Sequence, residues 1–126
     1  MSAILVVDDN PINLKLISDL LESKGHEMFK AVDAEDAQLV LAETLPDLIL
    51  MDIALPGMDG LALTRLLKAN ERTRHIPIIA LTAFAMKADD LKAKDAGCDG
   101  YVTKPIDTRE LPKQIAQFLA TETLKP

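Results

Sequence analysis

Four apolar residues stand unbroken between two aspartates in Asp47-Leu48-Ile49-Leu50-Met51-Asp52. A strand that alternates polar and apolar residues can lie half in water; this one cannot. It reads as a strand buried on both faces, and such strands belong to parallel sheets covered by helices above and below. The run stops at Asp52, and Ile53-Ala54-Leu55-Pro56-Gly57 turns away behind it. One carboxylate therefore stands where a central strand leaves the core, the end of an open parallel sheet at which ligands and chemistry collect. Taken alone, Asp52 reads as a helix cap or a solvated loop acid. The rest of the chain changes that reading.

Ala3-Ile4-Leu5-Val6-Val7 is a second run of the same kind and ends in Asp8-Asp9. Ile78-Ile79-Ala80-Leu81 is a third and ends in Thr82. Asn10-Pro11 then predicts a helix start, with Asn10 as cap and Pro11 in the first position. Leu14, Ile17, Leu20 and Leu21 recur at helical spacing, with Lys15, Ser18, Asp19 and Glu22 on the other face and Gly25 as the stop. Residues Glu27 to Val32 form a more polar strand. Lys30 within it suits a sheet edge. Asp33 caps a helix expected from Ala34 to about Leu45, ended by Pro46. Asp59 caps another that uses Leu63, Leu66 and Leu67 and fades near Asn70. The stretch from about Met86 to Ala96 is a poor helix. Beyond Met86 its only large apolar residue is Leu91, so it ranks among the less stable elements. Tyr101-Val102-Thr103 is a short last strand ending in Lys104-Pro105. Asp107 opens a final helix with Leu111, Ile115, Phe118 and Leu119 on one face. Pro112 falls inside that helix, so either the helix starts late or its first turn is distorted.

Strand and helix alternate five times with short connections. The expected fold is α/β: a five-stranded parallel sheet with right-handed crossovers and helices on both faces. With the polar strand at an edge, the order 2-1-3-4-5 fits best, a receiver/flavodoxin-like (βα)5 arrangement. The 126 residues suit one domain, expected over 1–122 with a loose tail beyond; the looseness begins near Thr121.

This order gathers Asp8, Asp9, Asp52, Thr82 and Lys104 at one edge of the sheet. Three carboxylates there repel one another, at roughly 3 kcal/mol per close pair for about 5 Å and an effective dielectric near 20. A crevice that tolerates this usually binds a cation. Oxygen ligands without His or Cys point to Mg²⁺, Mn²⁺ or Ca²⁺. Lys104 is a point charge suited to a phosphoryl oxygen, and Thr82 offers a hydroxyl. Together these groups describe a phosphoryl-transfer site with Asp52 as nucleophile. His26 and His75 have no acidic partner nearby in sequence and read as solvated. Cys98, the only cysteine, has no local His and reads as unreactive.

Composition removes other classes. A net charge of -6 repels nucleic-acid backbones, and aromatic residues at 3% are too few for base stacking. No apolar run reaches the length of a membrane span, and the start lacks the basic region of a secretory signal. A lone cysteine fits a cytoplasmic, reducing setting. A metal-dependent phosphatase would want a second acid one or two residues past the nucleophile, where Ile53 and Ala54 stand. A flavodoxin-like cofactor binder would need a phosphate-cradling loop after the first strand, where two acids stand.

Asp8-Asp9, Asp52, Thr82-Ala83, Tyr101 and Lys104-Pro105, with the turn Leu55-Pro56-Gly57-Met58-Asp59-Gly60, resemble the full signature of two-component response-regulator receiver domains. The resemblance covers about residues 3 to 120. Within the family, Asn10-Pro11-Ile12-Asn13 and Ala83-Phe84-Ala85-Met86 are most similar to a stand-alone cell-division regulator and to receivers of hybrid histidine kinases. The resemblance implies that Asp52 accepts a phosphoryl group from a histidine kinase or histidine phosphotransfer protein. It implies Mg²⁺ held by Asp9, Asp52 and the Ala54 carbonyl, with Asp8 acting largely through water. Lys104 pairs with the phosphoryl group and Ala83 leaves room for it. Thr82 and Tyr101 are the switch pair, and the Lys104-Pro105 bond is often cis. Hydrolysis is slow because Ala54 and Phe84 stand where polar residues would place a water. The resemblance further implies a switch rather than an enzyme acting on a separate substrate. Its output passes through a downstream protein at the face made by the Met86 to Ala96 helix, Tyr101 and the last helix. A receiver excised from a longer hybrid kinase is the alternative.

Overall fold

The computed structural model describes residues 2–53, 59–82, 94–104 and 106–124. The strands are β1 (Ala3–Val7), β2 (Glu27–Ala31), β3 (Leu48–Asp52), β4 (Ile78–Thr82) and β5 (Gly100–Thr103). The helices are α1 (Pro11–Glu22), α2 (Ala34–Glu43), α3 (Gly60–Ala69), the helical residues 94–96 (α4) and α5 (Glu110–Leu124). All strand pairs are parallel, in the order β2-β1-β3-β4-β5.

The unbroken apolar runs take the centre, and every residue of β3 and β4 is buried. Their side chains alternate between two cores, as the two-residue period of a strand requires. Leu5, Val7, Ile49, Met51 and Ile78 pack under α2 and α3. Ile4, Val6, Leu48, Leu50, Ile79 and Leu81 pack under α1 and α5. The polar strand β2 lies at the edge, with Glu27 and Lys30 exposed.

Local chemistry sets the helix ends. Asn10, Asp33 and Asp59 each accept a backbone N–H of the first turn, from Ile12, Asp36 and Ala62. After α1, Gly25 takes φ +93°, and His26 N–H reaches back to the Leu21 carbonyl at 3.2 Å. A left-handed residue followed by that six-to-one bond is the Schellman stop.

Several details differ from the sequence expectation. α2 ends at Glu43, because the Thr44 backbone is already extended ahead of Pro46. Ser18 is buried on the inner face of α1 rather than solvated, and its hydroxyl has no hydrogen-bond partner. Leu66 is 45% exposed, since Leu63 and Leu67 fill the narrow inward stripe of α3. His26 is half-buried, with Nδ1 buried and without a hydrogen-bond partner, and burial pushes its pKa down. The first turn of the last helix closes when Leu111 N–H donates to the Asp107 carbonyl, while Asp107 Oδ1 accepts from Arg109 and Glu110. Pro112 has no N–H for Thr108, so regular helix is established only from Glu110. It then continues to Leu124, through residues whose composition reads as a loose tail.

Candidate functional site

Register fixes which polar residues meet. Val7 pairs with Met51, so Asp8 and Asp52 leave β1 and β3 at the same level. Asp52 pairs with Leu81, which puts Thr82 one step further out on β4. The fifth strand is tied on by Lys104 N–H, which donates to the Thr82 carbonyl at 2.6 Å. Asp8, Asp9, Asp52, Thr82 and Lys104 thus occupy one cleft at the C-terminal edge of the sheet.

Asp8, Asp9 and Asp52 can each offer a carboxylate oxygen, all within 4.8 Å of one another. Asp8 is fully buried, Asp52 is 4% exposed and Asp9 faces solvent. Lys104 Nζ lies 3.0 Å from Asp52 Oδ2 and 3.1 Å from Asp8 Oδ2. The first contact is a hydrogen bond. The second is an ion pair too poorly aligned to count as one, so Asp8 Oδ2 lacks a hydrogen-bond partner. Asp8 Oδ1 accepts from Asn10 N–H at 2.9 Å.

The electrostatics follow from burial and crowding. Burial is the main force pushing the Asp8 carboxyl above its usual range. The Asp52 charge adds to it, and the Asn10 N–H and Lys104 only partly offset the two. Burial opposes the charge on Lys104. Its hydrogen bond to Asp52 and its attraction to both Asp52 and Asp8 outweigh that and hold it above the ordinary lysine value. A cleft in which one lysine faces three acids retains negative charge. Its all-oxygen donor set fits a small hard divalent cation. Asp8, Asp9 and Asp52 are the described residues that would hold it.

Of the other expected site residues, Thr82 is buried beside the cleft. Tyr101 lies on β5, 44% exposed. Ala54, Ala83, Phe84 and Pro105, the turn from Leu55 to Met58, and most of the helix from Met86 lie outside the described residues. His75 is exposed, as expected. Cys98 is half-buried with Sγ 4.0 Å from Thr64 Oγ1, and burial pushes its thiol pKa up, which disfavours the nucleophilic thiolate.

Two residues have roles that sequence reasoning did not assign. Asn10 is a helix cap and also the backbone donor that orients Asp8. The signal was its place two residues after that acid. Gly60 opens α3 directly against the exit of β3. A Cβ there would lie 2.1 Å from the Asp52 carbonyl oxygen and 2.7 Å from Ile53 Cα. Gly60 N–H donates to the Ile53 carbonyl at 3.2 Å.

The sequence pattern of the response regulator receiver domain matches residues 4–116. The chain is 43% identical over 117 residues to the polar-differentiation response regulator DivK of Brucella ovis, covering 93% of this chain and 95% of that one. It is 42% identical over 117 residues, with the same coverage, to DivK of Brucella anthropi. Among solved structures it is similar to the receiver domain of sensor histidine kinase PA1611 from Pseudomonas aeruginosa PAO1. That likeness has a TM-score of 0.86 and 36% identity over 94% of this chain and 98% of that chain. The PA1611 structure has a magnesium ion coordinated in its active site cleft. The signal receiver domain of a histidine kinase from Syntrophus aciditrophicus gives a TM-score of 0.89 at 31% identity, over 100% of this chain and 96% of that chain.

Proposed function

This chain belongs to the response regulator receiver domain family, and on that premise we propose that Asp52 is its phosphoacceptor. The donor is a histidine kinase or a histidine phosphotransfer protein. In the transfer, the phosphorus–nitrogen bond of the donor phosphohistidine breaks and a bond from phosphorus to an Asp52 carboxylate oxygen forms. The bonding electron pair stays on the departing imidazole nitrogen, and the ring leaves neutral, with its proton already on the other ring nitrogen or taken from solvent. The observation that carries this reading is the placement of Asp52: nearly buried at the end of a central strand, 3.0 Å from Lys104 Nζ and within 4.8 Å of two further acids.

Asp8, Asp9 and Asp52, with the Ala54 carbonyl, are the proposed Mg²⁺ ligands, and Asp8 acts largely through water. Bound there, the ion supplies positive charge to the oxygens of the transferring phosphoryl group. Lys104 holds one of those oxygens, and the small side chain of Ala83 leaves space for the group. Thr82 turns its hydroxyl toward the phosphate and Tyr101 follows, and Ala83 and Pro105 are counted with them among the proposed switch residues. The chain is proposed to act as a switch that catalyses only its own phosphorylation and slow dephosphorylation. Residues 1–122 form the proposed receiver domain, and output passes by protein contact through the face of α4, β5 and α5. The proposed setting is the cytoplasm. Among the described residues no helix is long and apolar enough to cross a membrane.

The test is incubation with a small phosphodonor and Mg²⁺, read by intact mass. One base-labile phosphate should appear on wild type and none on Asp52→Ala. Equal labelling of the two proteins would overturn the assignment.

A further inference from the structure

α2 and α3 lie side by side over one face of the sheet, and their inner residues share one core. Both join parallel strands by right-handed crossovers, so both run antiparallel to the strands and parallel to each other. Gln38, Leu41 and Ala42 of α2, Leu66 and Leu67 of α3 and Asn70 just after it line a shallow groove of ≈ 160 Å³. Arg72 reaches over the end of that groove and donates to the Ala42 carbonyl at 3.2 Å. Residues 38–42 and 66–72 therefore stand at the same height.

The outer surface of this pair is split by charge. α2 carries Glu35 and Glu43 around Leu39, which is 64% exposed, and it has no basic residue. α3 and the turn after it carry Arg65 and Arg72 around Leu66, which is 45% exposed, with Glu71 as the one acid beside Arg72. Among the described residues no ion pair joins the acids of α2 to these arginines. An acidic half with one exposed leucine thus lies beside a half with another exposed leucine in which Arg65 and Arg72 outnumber Glu71. The chain as a whole carries -6, so most of its surface repels a second copy. This face has both signs in complementary places.

We propose that the α2–α3 face is a self-association surface whose partner is a second copy of this chain. A two-fold axis along the groove sets α2 of each copy against α3 of the other at matched height. Leu39 then meets Leu66 of the second copy, and Glu43 meets Arg72 of the second copy. By symmetry each contact is made twice. Two ten-residue helices present a face of about 15 by 20 Å, less than a permanent dimer buries, so the association is transient. The Glu43–Arg72 end of the face lies at the N-terminal edge of the sheet, away from the acid cleft, so phosphotransfer and pairing do not compete for one surface.

The test is sedimentation equilibrium of the full chain across concentration, with charge-reversed variants. Wild type should show a monomer–dimer equilibrium. Leu39→Asp, Glu43→Arg and Arg72→Glu should each weaken it at least tenfold, with melting temperatures checked to confirm folding. An equimolar mixture of Glu43→Arg with Arg72→Glu should recover dimerisation, because in the mixed dimer one cross-copy contact keeps its native Glu43–Arg72 pair and the other is restored with its signs exchanged. Wild type that remains monomeric at about 1 mM would overturn the proposal and leave the face to a different partner. So would dimerisation untouched by all three variants, or a mixture no better than either variant alone.

Discussion

Gly60→Ala tests how tightly the phosphoacceptor is positioned. The added methyl would meet the Asp52 carbonyl oxygen at 2.1 Å and Ile53 Cα at 2.7 Å. A carbon normally approaches a carbonyl oxygen no closer than about 3.3 Å, so α3 and the end of β3 must part by about 1 Å. The atoms in the way are backbone, which no rotamer change can clear. Overpacking of this kind costs about 1–3 kcal/mol of stability. The same movement acts on the residue that carries the chemistry. Lys104 holds the Asp52 side chain at 3.0 Å, so a shift of this size spoils their alignment. A misplacement of about 1 Å lowers a positioned reaction by about 100-fold. Urea unfolding and the rate of labelling by a small phosphodonor measure the two effects separately. Ile115→Val, a core change in the other layer, serves as a control for mild destabilisation and should keep its labelling rate. Gly60→Ala that labels at the wild-type rate would show that the β3 exit is not set by α3.

Mg²⁺ at ten times its dissociation constant should stabilise the protein by about 1.4 kcal/mol, and Asp9→Asn should remove most of that gain. Thermal melts with and without the ion decide it, and a wild type without any shift would refute the metal site. The raised pKa of Asp8 means that the metal-free fold holds this proton more tightly than the unfolded chain does. Relative to Asp8→Asn, wild type should therefore lose stability as pH rises from about 4 through the raised value and level off above it. A relative gain over that window, measured by urea midpoints, would contradict the assigned direction. Finally, Ala54→Asn with Phe84→Glu should speed loss of the phosphate by about tenfold, or roughly 1.4 kcal/mol of barrier. A wild type that hydrolyses within seconds would refute that reading.

The parts of this fold that were legible in the sequence are those where local pattern and tertiary need agree. Unbroken runs at Leu48–Met51 and Ile78–Leu81 cannot be solvated on either face, so their central position follows from their composition. The polar strand at Glu27 could go only to an edge. Receivers are themselves reference cases for the 2-1-3-4-5 order, so the order owes as much to the resemblance as to that polarity. The acids and Lys104 were legible because each follows a strand, and parallel strands deliver their ends to one edge. What was hidden depends on distance in space. Nothing near Gly60 in sequence says that β3 passes against it. Ser18 keeps helical spacing with polar Lys15 and Glu22, yet α1 turns it inward. His26 has no partner in sequence, and burial beside the sheet edge overrides the solvation expected of it. Leu66 looked like a third core residue of α3, but two leucines already fill the inward stripe.

On the proposed reading, Lys104 would tie the chemistry of the cleft to its readout. In the structure its ammonium bridges Asp8 and Asp52, partly relieving a repulsion that would otherwise oppose the fold. Three carboxylates against one ammonium leave about two negative charges, which a single divalent ion matches. Phosphorylation of Asp52 converts its carboxylate to an acyl phosphate with more acceptor oxygens and more charge. Lys104 then has reason to follow the phosphoryl group. It cannot do so in isolation, because its backbone N–H is bonded to the Thr82 carbonyl at 2.6 Å, and Thr82 pairs in register with Thr103. A pull on Lys104 is therefore felt at the end of β4 and along β5, the strand that carries the half-exposed Tyr101. β5 has only β4 as a neighbour in the sheet, whereas β3 is held between β1 and β4. The edge strand is thus the less constrained of the two ends of the Lys104–Asp52 link. On that proposed reading, the acceptor would stay with the rigid centre and the movement would go to the surface where a partner could read it.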